Sequence, residues 1–210
     1  MTRKNILIAL AGAAVLSSAA IAQSDALTQN PVEVRSGDYV LDPAHGKITW
    51  SVDHMGFSTY VGQFTDVSAR LNLDVANPSE SDLEAVIATD SLGTLNDQLD
   101  AHLKTSDFFD TANFPTARFE ATAIRLTDDD SAEIFGNLTL RGITRPVVIA
   151  ADFNQAGINP VDQKYTLGFD GRALIKRSDY GIEYGLPMRG DEVTLNLEAE
   201  FKLVEPSTDA

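Results

Sequence analysis

The stretch VTLNLEAEFKL, residues 193–203, alternates apolar and polar side chains without a break. A period of two places successive side chains on opposite faces of a β-strand, so the stretch predicts a strand with one apolar face. Six further stretches alternate in the same way, and a seventh does so more weakly. The six span residues 47–53, 70–75, 83–87, 117–123, 147–153 and 165–175, and the weaker one spans 134–140.

Runs rich in Gly, Pro, Asn and Asp separate these stretches, at residues 76–79, 128–130, 141–142, 157–160 and 189–191. Eight strands joined by short turns predict an all-β fold with antiparallel pairing, in a sandwich or a barrel. Pro146 is expected as the first residue of its strand, because proline cannot donate to a ladder.

One segment breaks the period of two. Leu95, Leu99 and Leu103 lie four residues apart within a polar sequence. This spacing predicts a short amphipathic helix between strands, in a position to cap one end of a barrel. Aromatic residues are unusually frequent in the connection that follows, with Phe108 and Phe109 adjacent and Phe114 close behind.

The N-terminus is typical of a bacterial secretory signal peptide. Arg3 and Lys4 precede an apolar run at residues 6–16, and small residues end at Ala22. We expect cleavage after Ala22 and a periplasmic mature protein. The predicted organisation is a signal peptide at 1–22, a polar and poorly ordered approach segment at 23–37, a barrel domain at 38–204 and a frayed tail at 205–210.

Composition excludes several classes of function. The chain of 210 residues has no cysteine, so disulfides, thiolate catalysis and cysteine-based metal sites are excluded. Its formal net charge of −15 becomes −17 once Arg3 and Lys4 leave with the signal peptide. Such an acidic protein repels polyanions, which argues against nucleic acid or an anionic membrane as the main partner.

Alternation alone also fits an outer-membrane barrel, whose apolar face points outward to lipid. Against this, the polar faces would then crowd charged side chains into a lumen that eight strands barely provide. The charged residues concerned are Lys47, Arg70, Asp74, Glu84 and Glu120. The chain also ends in a polar tail rather than an aromatic residue. We therefore expect an apolar interior and no stable membrane insertion.

Small residues are frequent on the predicted inward face, at Ala85, Ala117, Ala121, Ala123, Gly136, Ala151, Gly171, Ala173 and Ala199. Each missing methylene forfeits about 0.8 kcal/mol of burial. Either these residues face large side chains across the barrel and the interior is solid, or they line a tunnel. A tunnel with such walls predicts a long, apolar ligand.

Candidate binding residues follow from the predicted inward register. The expected apolar wall comprises Trp50, Val52, Phe119, Ala121, Leu138, Phe169, Ala173 and Leu197. His54, His102 and Arg177 are expected at the mouth or at a ligand head group. The alternatives are structural, buried histidines and a salt bridge from Arg177 to Asp179 or another carboxylate.

Metal and catalytic sites are not predicted. The three histidines include no short pair that would support a zinc site, and His45 is expected to brace a loop. The chain has no phosphate-binding glycine loop, no Gly-x-Ser-x-Gly and no His-Glu-x-x-His. We therefore expect no catalytic residue, no metal and no enzymatic activity. An enzyme that acts on a prenyl lipid through His54 or His102 is the alternative hypothesis.

Four segments in order carry a resemblance to a known family. They are YVLDPAH at 39–45, DAHLKTSDFF at 100–109, GNLTLRGITRPV at 136–147 and KRSDYG at 176–181. Residues 54–56, 62–64 and 168–169 belong to the same pattern. From about residue 38 to residue 203, the chain resembles the YceI-like family of exported polyisoprenoid-binding proteins. One departure is Leu99, which stands where the family commonly has arginine.

The resemblance implies an eight-stranded antiparallel lipocalin-like barrel with a short helix between strands. It further implies a binding or carrier protein whose pocket holds a long isoprenoid chain, such as a ubiquinone-like quinone tail or a polyprenyl phosphate. No other cofactor is expected, and a homodimer is left open. A solid barrel with a structural or stress role is the remaining alternative.

Overall fold

The computed structural model describes residues 25–205, so the predicted signal peptide and residues 206–210 lie outside the described part. Eleven strands and one α-helix form a closed antiparallel barrel, which confirms the predicted fold class. The elements are β1 Gly37–Leu41, β2 Lys47–His54, β3 Ser58–Phe64, β4 Val67–Leu73, β5 Asp82–Ala88, β6 Leu92–Gly93, α1 Asp97–Leu103, β7 Thr116–Leu126, β8 Ser131–Leu140, β9 Ile143–Ile158, β10 Tyr165–Lys176 and β11 Arg189–Leu203.

The eleven strands occupy eight positions around the barrel because three positions are filled by interrupted strands. β1 and β2 both pair with β11, through Leu41 opposite Phe201 and Trp50 opposite Leu195. β4 pairs with β1 and β3 pairs with β2, so β4 and β3 share the second position. β5 pairs with β4 and β6 pairs with β3, so β5 and β6 share the third. β7 to β11 complete the circle, and the pairing of β1 with β11 closes it.

The first interruption has a local cause at residues 42–46. Pro43 has no N–H to donate to a ladder, and the Asp42 carboxylate accepts a hydrogen bond from the Ala44 backbone N–H at 3.0 Å. His45 Nδ1 lies 3.0 Å from Asp42 Oδ2 and holds the same turn. The predicted bracing role of His45 therefore agrees with its position.

The two ends of the barrel are built differently. The upper end carries the β2–β3 turn, the closing segment (residues 94–115, which includes α1) and the β10–β11 connection at 177–188. The lower end carries the N-terminal segment at 25–36, the β4–β5 turn and the β7–β8 turn. These names are kept below.

The closing segment completes the wall where a strand is missing. β6 has two residues and pairs with β3, whereas β7 pairs with β5 on that side. Thr89 anchors the segment, because its N–H and hydroxyl donate to Pro115 O at 2.9 Å and Phe114 O at 2.7 Å. The Phe109 ring packs edge-on against Phe64 at 5.3 Å between centroids. Side-chain packing replaces a ladder here.

The predicted helix is present, but its start differs from the prediction. The Asn96 side chain accepts a hydrogen bond from Leu99 N–H at 3.1 Å and caps α1. Leu103 is buried and Leu99 is half-buried, as an amphipathic helix requires. Leu95 was wrongly included in the apolar stripe: it precedes the cap at φ 62° and is fully exposed.

Three strands were missed, and the register or the start of three others differs from the prediction. β1, β3 and β6 were not predicted. The inward register of β7 changes at a bulge between Ala121 and Ala123, which leaves Ala123 exposed and turns Ile124 inward. β9 starts at Ile143, three residues before Pro146, and β11 already includes residues 189–191, which were predicted as a turn.

The described part of the approach segment packs against the lower end. Thr28 and Ala156 exchange two backbone hydrogen bonds of 2.8 Å, and Val34 is buried. Arg35 lies over the Tyr165 ring, and its carbonyl accepts a hydrogen bond of 2.6 Å from the Tyr39 hydroxyl. Although their composition is polar, residues 25–37 contact the barrel. Within residues 25–205, no helix has the length and apolar character that crossing a membrane requires.

Candidate functional site

The barrel interior contains two apolar cavities placed end to end. The upper cavity has a volume of about 290 Å³ and lies beneath the closing segment. The lower cavity has a volume of about 510 Å³ and reaches the β4–β5 and β7–β8 turns. Leu, Ile, Val, Ala and Phe side chains dominate both linings. The alternative of a solid barrel therefore does not agree with the structure.

A waist separates the two cavities. Ile48, Ile87, Leu138 and Leu195 line both of them. The first three expose 9%, 5% and 9% of their surface, and Leu195 is half-buried. An extended hydrocarbon that occupied both cavities would pass between these four side chains.

The predicted small-residue face is only partly responsible for the free volume. A Cβ at Gly136 would come within 2.3 Å of the Phe119 ring, so a large neighbour fills that space. Gly171 lies against Ile149 and Leu197, both 3.2 Å from its Cβ position, and it also lines the lower cavity. Ala173 and Ala85 do line the lower cavity. Large neighbours thus fill the space at some of the small residues, while others border free volume.

The structure distributes the predicted wall residues over both cavities. Trp50 and Val52 line the upper cavity, and Leu138 lines both as part of the waist. The lower cavity takes the greater share, namely Phe119, Phe169, Ala173 and Leu197. Ala121 packs against the core beside the β7 bulge and lines neither cavity. The bulge explains this difference, because it ends the regular register at Ala121.

The three predicted mouth residues meet at the upper cavity. His54, His102 and Arg177 come from β2, α1 and the β10–β11 connection, and all three line that cavity. His102 Nε2 lies 2.8 Å from Asp107 Oδ2. The His102 ring packs edge-on against Phe108 at 5.1 Å and Tyr184 at 5.0 Å. His102 is therefore held in one orientation by the closing segment and the connection.

Arg177 fastens the β10–β11 connection from inside. Its Nε donates to Gly190 O at 2.8 Å, and its Nη1 donates to Ile182 O and Tyr184 O, each at 3.0 Å. Burial lowers the pKa of its guanidinium, and the nearby Asp191 carboxylate opposes this effect. Within residues 25–205 Arg177 forms no salt bridge, so the alternative of a pair with Asp179 or another carboxylate is wrong for the described chain. Asp191 instead accepts hydrogen bonds from Ser178 N–H and hydroxyl, at 2.9 and 2.8 Å.

Several upper-cavity residues were missed by sequence reasoning. They come from β3, the closing segment and the β10–β11 connection: Tyr60, Phe64, Phe108, Phe109, Ile182 and Tyr184. The aromatic residues at 108–114 were noticed, but no period placed them at the interior. Leu99, at the position where the family commonly has arginine, also lines the upper cavity.

A polar cluster outside the barrel interior is an ion-pair network. Candidate ligand atoms of Asp42, His45 and Glu200 lie within 4.8 Å of one another. The Lys202 ammonium lies 3.7 Å from the Asp42 carboxylate and 4.0 Å from that of Glu200, and it supplies the cation there. The hydrogen bond with His45 holds the pKa of Asp42 below its ordinary value. The cluster therefore stabilises the β1–β11 junction.

Comparison with known proteins agrees with this architecture. A family model described as YceI-like domain matches residues 39–201. A UPF0312 protein of Azotobacter vinelandii is 35% identical over 170 residues, which cover 80% of this chain and 88% of that protein.

Two solved structures share the fold. BcnA of Burkholderia cenocepacia has a TM-score of 0.69 at 23% identity, covering 76% of this chain and 98% of BcnA. A polyisoprenoid binding domain from Saccharophagus degradans, implicated in plant cell wall breakdown, has a TM-score of 0.60 at 14% identity, covering 81% of this chain and all of that domain. Family model, relatives and fold agree: the chain belongs to the YceI-like family.

Proposed function

We propose that this protein is an exported, periplasmic carrier that holds a long isoprenoid lipid in its barrel interior. The observation that carries the proposal is the pair of apolar cavities, about 290 and 510 Å³, which share the four waist residues in their linings. Small-molecule sites have volumes of about 300–1,000 Å³ and are mostly apolar with few polar groups. The ligand is held by burial of its chain, and no chemical step is required of the protein.

The energetics favour a chain with repeated apolar units. Each buried methylene contributes about 0.8 kcal/mol, so a five-carbon isoprene unit contributes about 3–4 kcal/mol before ordering costs. A few units therefore dominate the affinity, and a head group sets the orientation. An isoprenoid is a single chain, so only one chain would have to pass the waist residues to occupy both cavities.

The name of one structural neighbour supports the ligand class. The Saccharophagus degradans domain is described as polyisoprenoid binding, and it shares the barrel of this chain. We extend that ligand class to this protein because its own interior is apolar and extends to both ends. A quinone tail and a polyprenyl phosphate are the candidate ligands.

The direct test is to identify what the protein carries. The full chain would be expressed with its own N-terminus, isolated gently from the periplasmic fraction and extracted with organic solvent for mass spectrometry. A prenyl lipid in near-stoichiometric amount is expected. Purified protein should also take up a prenyl quinone or prenyl phosphate in titration. Extracts without prenyl lipid, together with no uptake in titration, would falsify the proposal.

A further inference from the structure

Two buried donors lack partners, and both belong to residues that line the upper cavity. Within residues 25–205, the buried side-chain nitrogen and oxygen atoms without a hydrogen-bond partner are Trp50 Nε1 and Arg177 Nη2. Each residue exposes only 8% of its surface, and both line the upper cavity. Buried polar groups are almost always hydrogen-bonded, so two unpartnered donors on residues of the same cavity lining indicate a missing acceptor.

The charge of Arg177 also lacks a direct counterion. Its three hydrogen bonds go to backbone carbonyls, and none of its nitrogens lies within 4.0 Å of a carboxylate in the described chain. The nearby Asp191 carboxylate instead accepts two hydrogen bonds from Ser178. A buried guanidinium normally has an anionic partner, because removal from water is unfavourable for an unpaired charge. The missing acceptor is therefore best supplied by an anion.

The two cavities differ in the sign of the charges around them. The upper cavity is lined by Arg177, Arg189 and one carboxylate, Asp53, so its arginines and carboxylate together give one net positive charge. The charged residues at the lower cavity are one lysine and four carboxylates, a net charge of −3: Lys47, Asp129, Asp130, Asp170 and Glu198. In a protein with a formal charge of −15, the upper cavity is the place where an anion is favoured.

We infer that the upper cavity is the head-group site of the carried lipid and that it selects an anionic head, a phosphate or a carboxylate. Arg177 Nη2 donates to an anionic oxygen, and Trp50 Nε1 donates to a second oxygen of the head region. The tail runs through the waist into the lower cavity. This inference rests on the proposed function and adds the class of ligand and its direction in the barrel.

Trp50 provides the readout, because it is the single tryptophan of the chain. Its emission in the full protein would be followed during titration with three ligands that share one prenyl chain and end in phosphate, carboxylate or hydroxyl. We expect at least one anionic ligand to bind about tenfold more tightly than the alcohol, as one charge-assisted hydrogen bond predicts. The tighter of the phosphate and carboxylate ligands identifies the head group.

The outcomes separate this inference from the proposed function. If the alcohol binds as tightly as both anionic ligands, the anionic site is wrong, while the isoprenoid carrier stands. If none of the three ligands binds, the carrier proposal fails, and the inference about the head group fails as well.

Two variants test the donors. Arg177→Met should weaken the anionic ligand about tenfold and leave the alcohol nearly unchanged. Arg172→Met is the matched control, because Arg172 is exposed on β10 and lines neither cavity, so its ligand affinities should stay as in the parent. Trp50→Phe keeps an aromatic ring and removes only the N–H. It should weaken the anionic ligand several-fold in calorimetric titration.

Arg177 also fastens the connection at 177–188, so Arg177→Met must be shown to fold by circular dichroism before it is titrated. If it does not fold, Trp50→Phe and the ligand series decide between the outcomes. An unchanged preference for the anionic ligand in every folded variant would overturn the assignment of these donors.

Discussion

The indole ring of Trp50 lies directly on Gly62, the residue opposite it on β3. A Cβ at position 62 would come within 2.2 Å of Trp50 Cζ2 and 2.6 Å of Cε2. Trp50 therefore occupies the space that a side chain at position 62 would fill. This pair fixes where the single tryptophan stands in the upper cavity.

Gly62→Ala should destabilise the protein, because the added methyl group forces Trp50 out of its position. Overpacking of this kind typically lowers the free energy of unfolding by about 1–3 kcal/mol. Urea unfolding followed by Trp50 emission measures the loss. Gly93→Ala is the control, since the nearest atom to its Cβ position is 4.0 Å away, and its effect should stay within about 0.5 kcal/mol. Equal effects of the two substitutions would contradict the packing argument.

Leu138→Phe should narrow the waist and shorten the chain that the barrel accepts. We expect a prenyl ligand long enough for both cavities to lose about tenfold or more in affinity, while a ligand that fits one cavity changes little. The unfolding free energy should also fall by about 1–3 kcal/mol through overpacking. Titration with the two ligand lengths measures the difference.

Leu174→Phe is the matched control for the waist, because it makes the same substitution on the exposed face of β10. It should leave both ligand lengths unaffected. An equal loss for long and short ligands in Leu138→Phe would show that the waist does not measure chain length.

Arg141→Ala should loosen the upper end. The Arg141 guanidinium donates to Gly181 O at 2.7 Å and Ser106 O at 3.2 Å, and so joins the closing segment to the β10–β11 connection. Loss of two such bonds should lower stability by about 1–3 kcal/mol and speed ligand release. Hydrogen exchange at residues 104–115 and stopped-flow release measure these effects. Arg145→Ala should be nearly neutral, since its side chain bonds only to the adjacent Thr144 carbonyl in the described structure.

Asp42→Asn should make stability less dependent on acid pH. The hydrogen bond with His45 lowers the pKa of Asp42 from 3.8, so ionised Asp42 stabilises the folded state above that value. This contribution is lost as pH falls through the lowered pKa. The variant should be about 1 kcal/mol less stable at pH 7, and the gap should close well below pH 3.8. Urea unfolding across this pH range tests the sign; a gap that widens in acid would contradict it.

Alternation was sufficient to predict a barrel, because the long strands keep one apolar face over many residues. β3 escaped prediction because its inward residues are Tyr60, Gly62 and Phe64, and a glycine breaks the apolar pattern. In the folded protein Trp50 supplies the bulk that position 62 lacks. A period-based prediction sees one strand at a time and has no access to such compensation across strands.

The site was predictable only in part, for a related reason. The inward direction of Arg177 follows from its place after Ile175, and the structure puts it at the upper cavity. Its partners did not follow, because the carbonyls of Ile182 and Tyr184 come from an irregular connection. The bulge at Ala121 was equally hidden, since a single extra residue leaves no mark in composition.

β6 does not pair with β7, and this affects which parts of the barrel can tolerate changes in sequence length. A ladder ties a strand on both sides, and a one-residue insertion there would turn every later side chain to the opposite face. Between β6 and β7, residues 94–115 are instead attached at a few points such as Thr89 and Phe109. Insertions and replacements in residues 94–115 therefore leave the register of the barrel strands unchanged. Changes in residues 94–115 can therefore reshape the upper cavity while the rest of the barrel keeps its register.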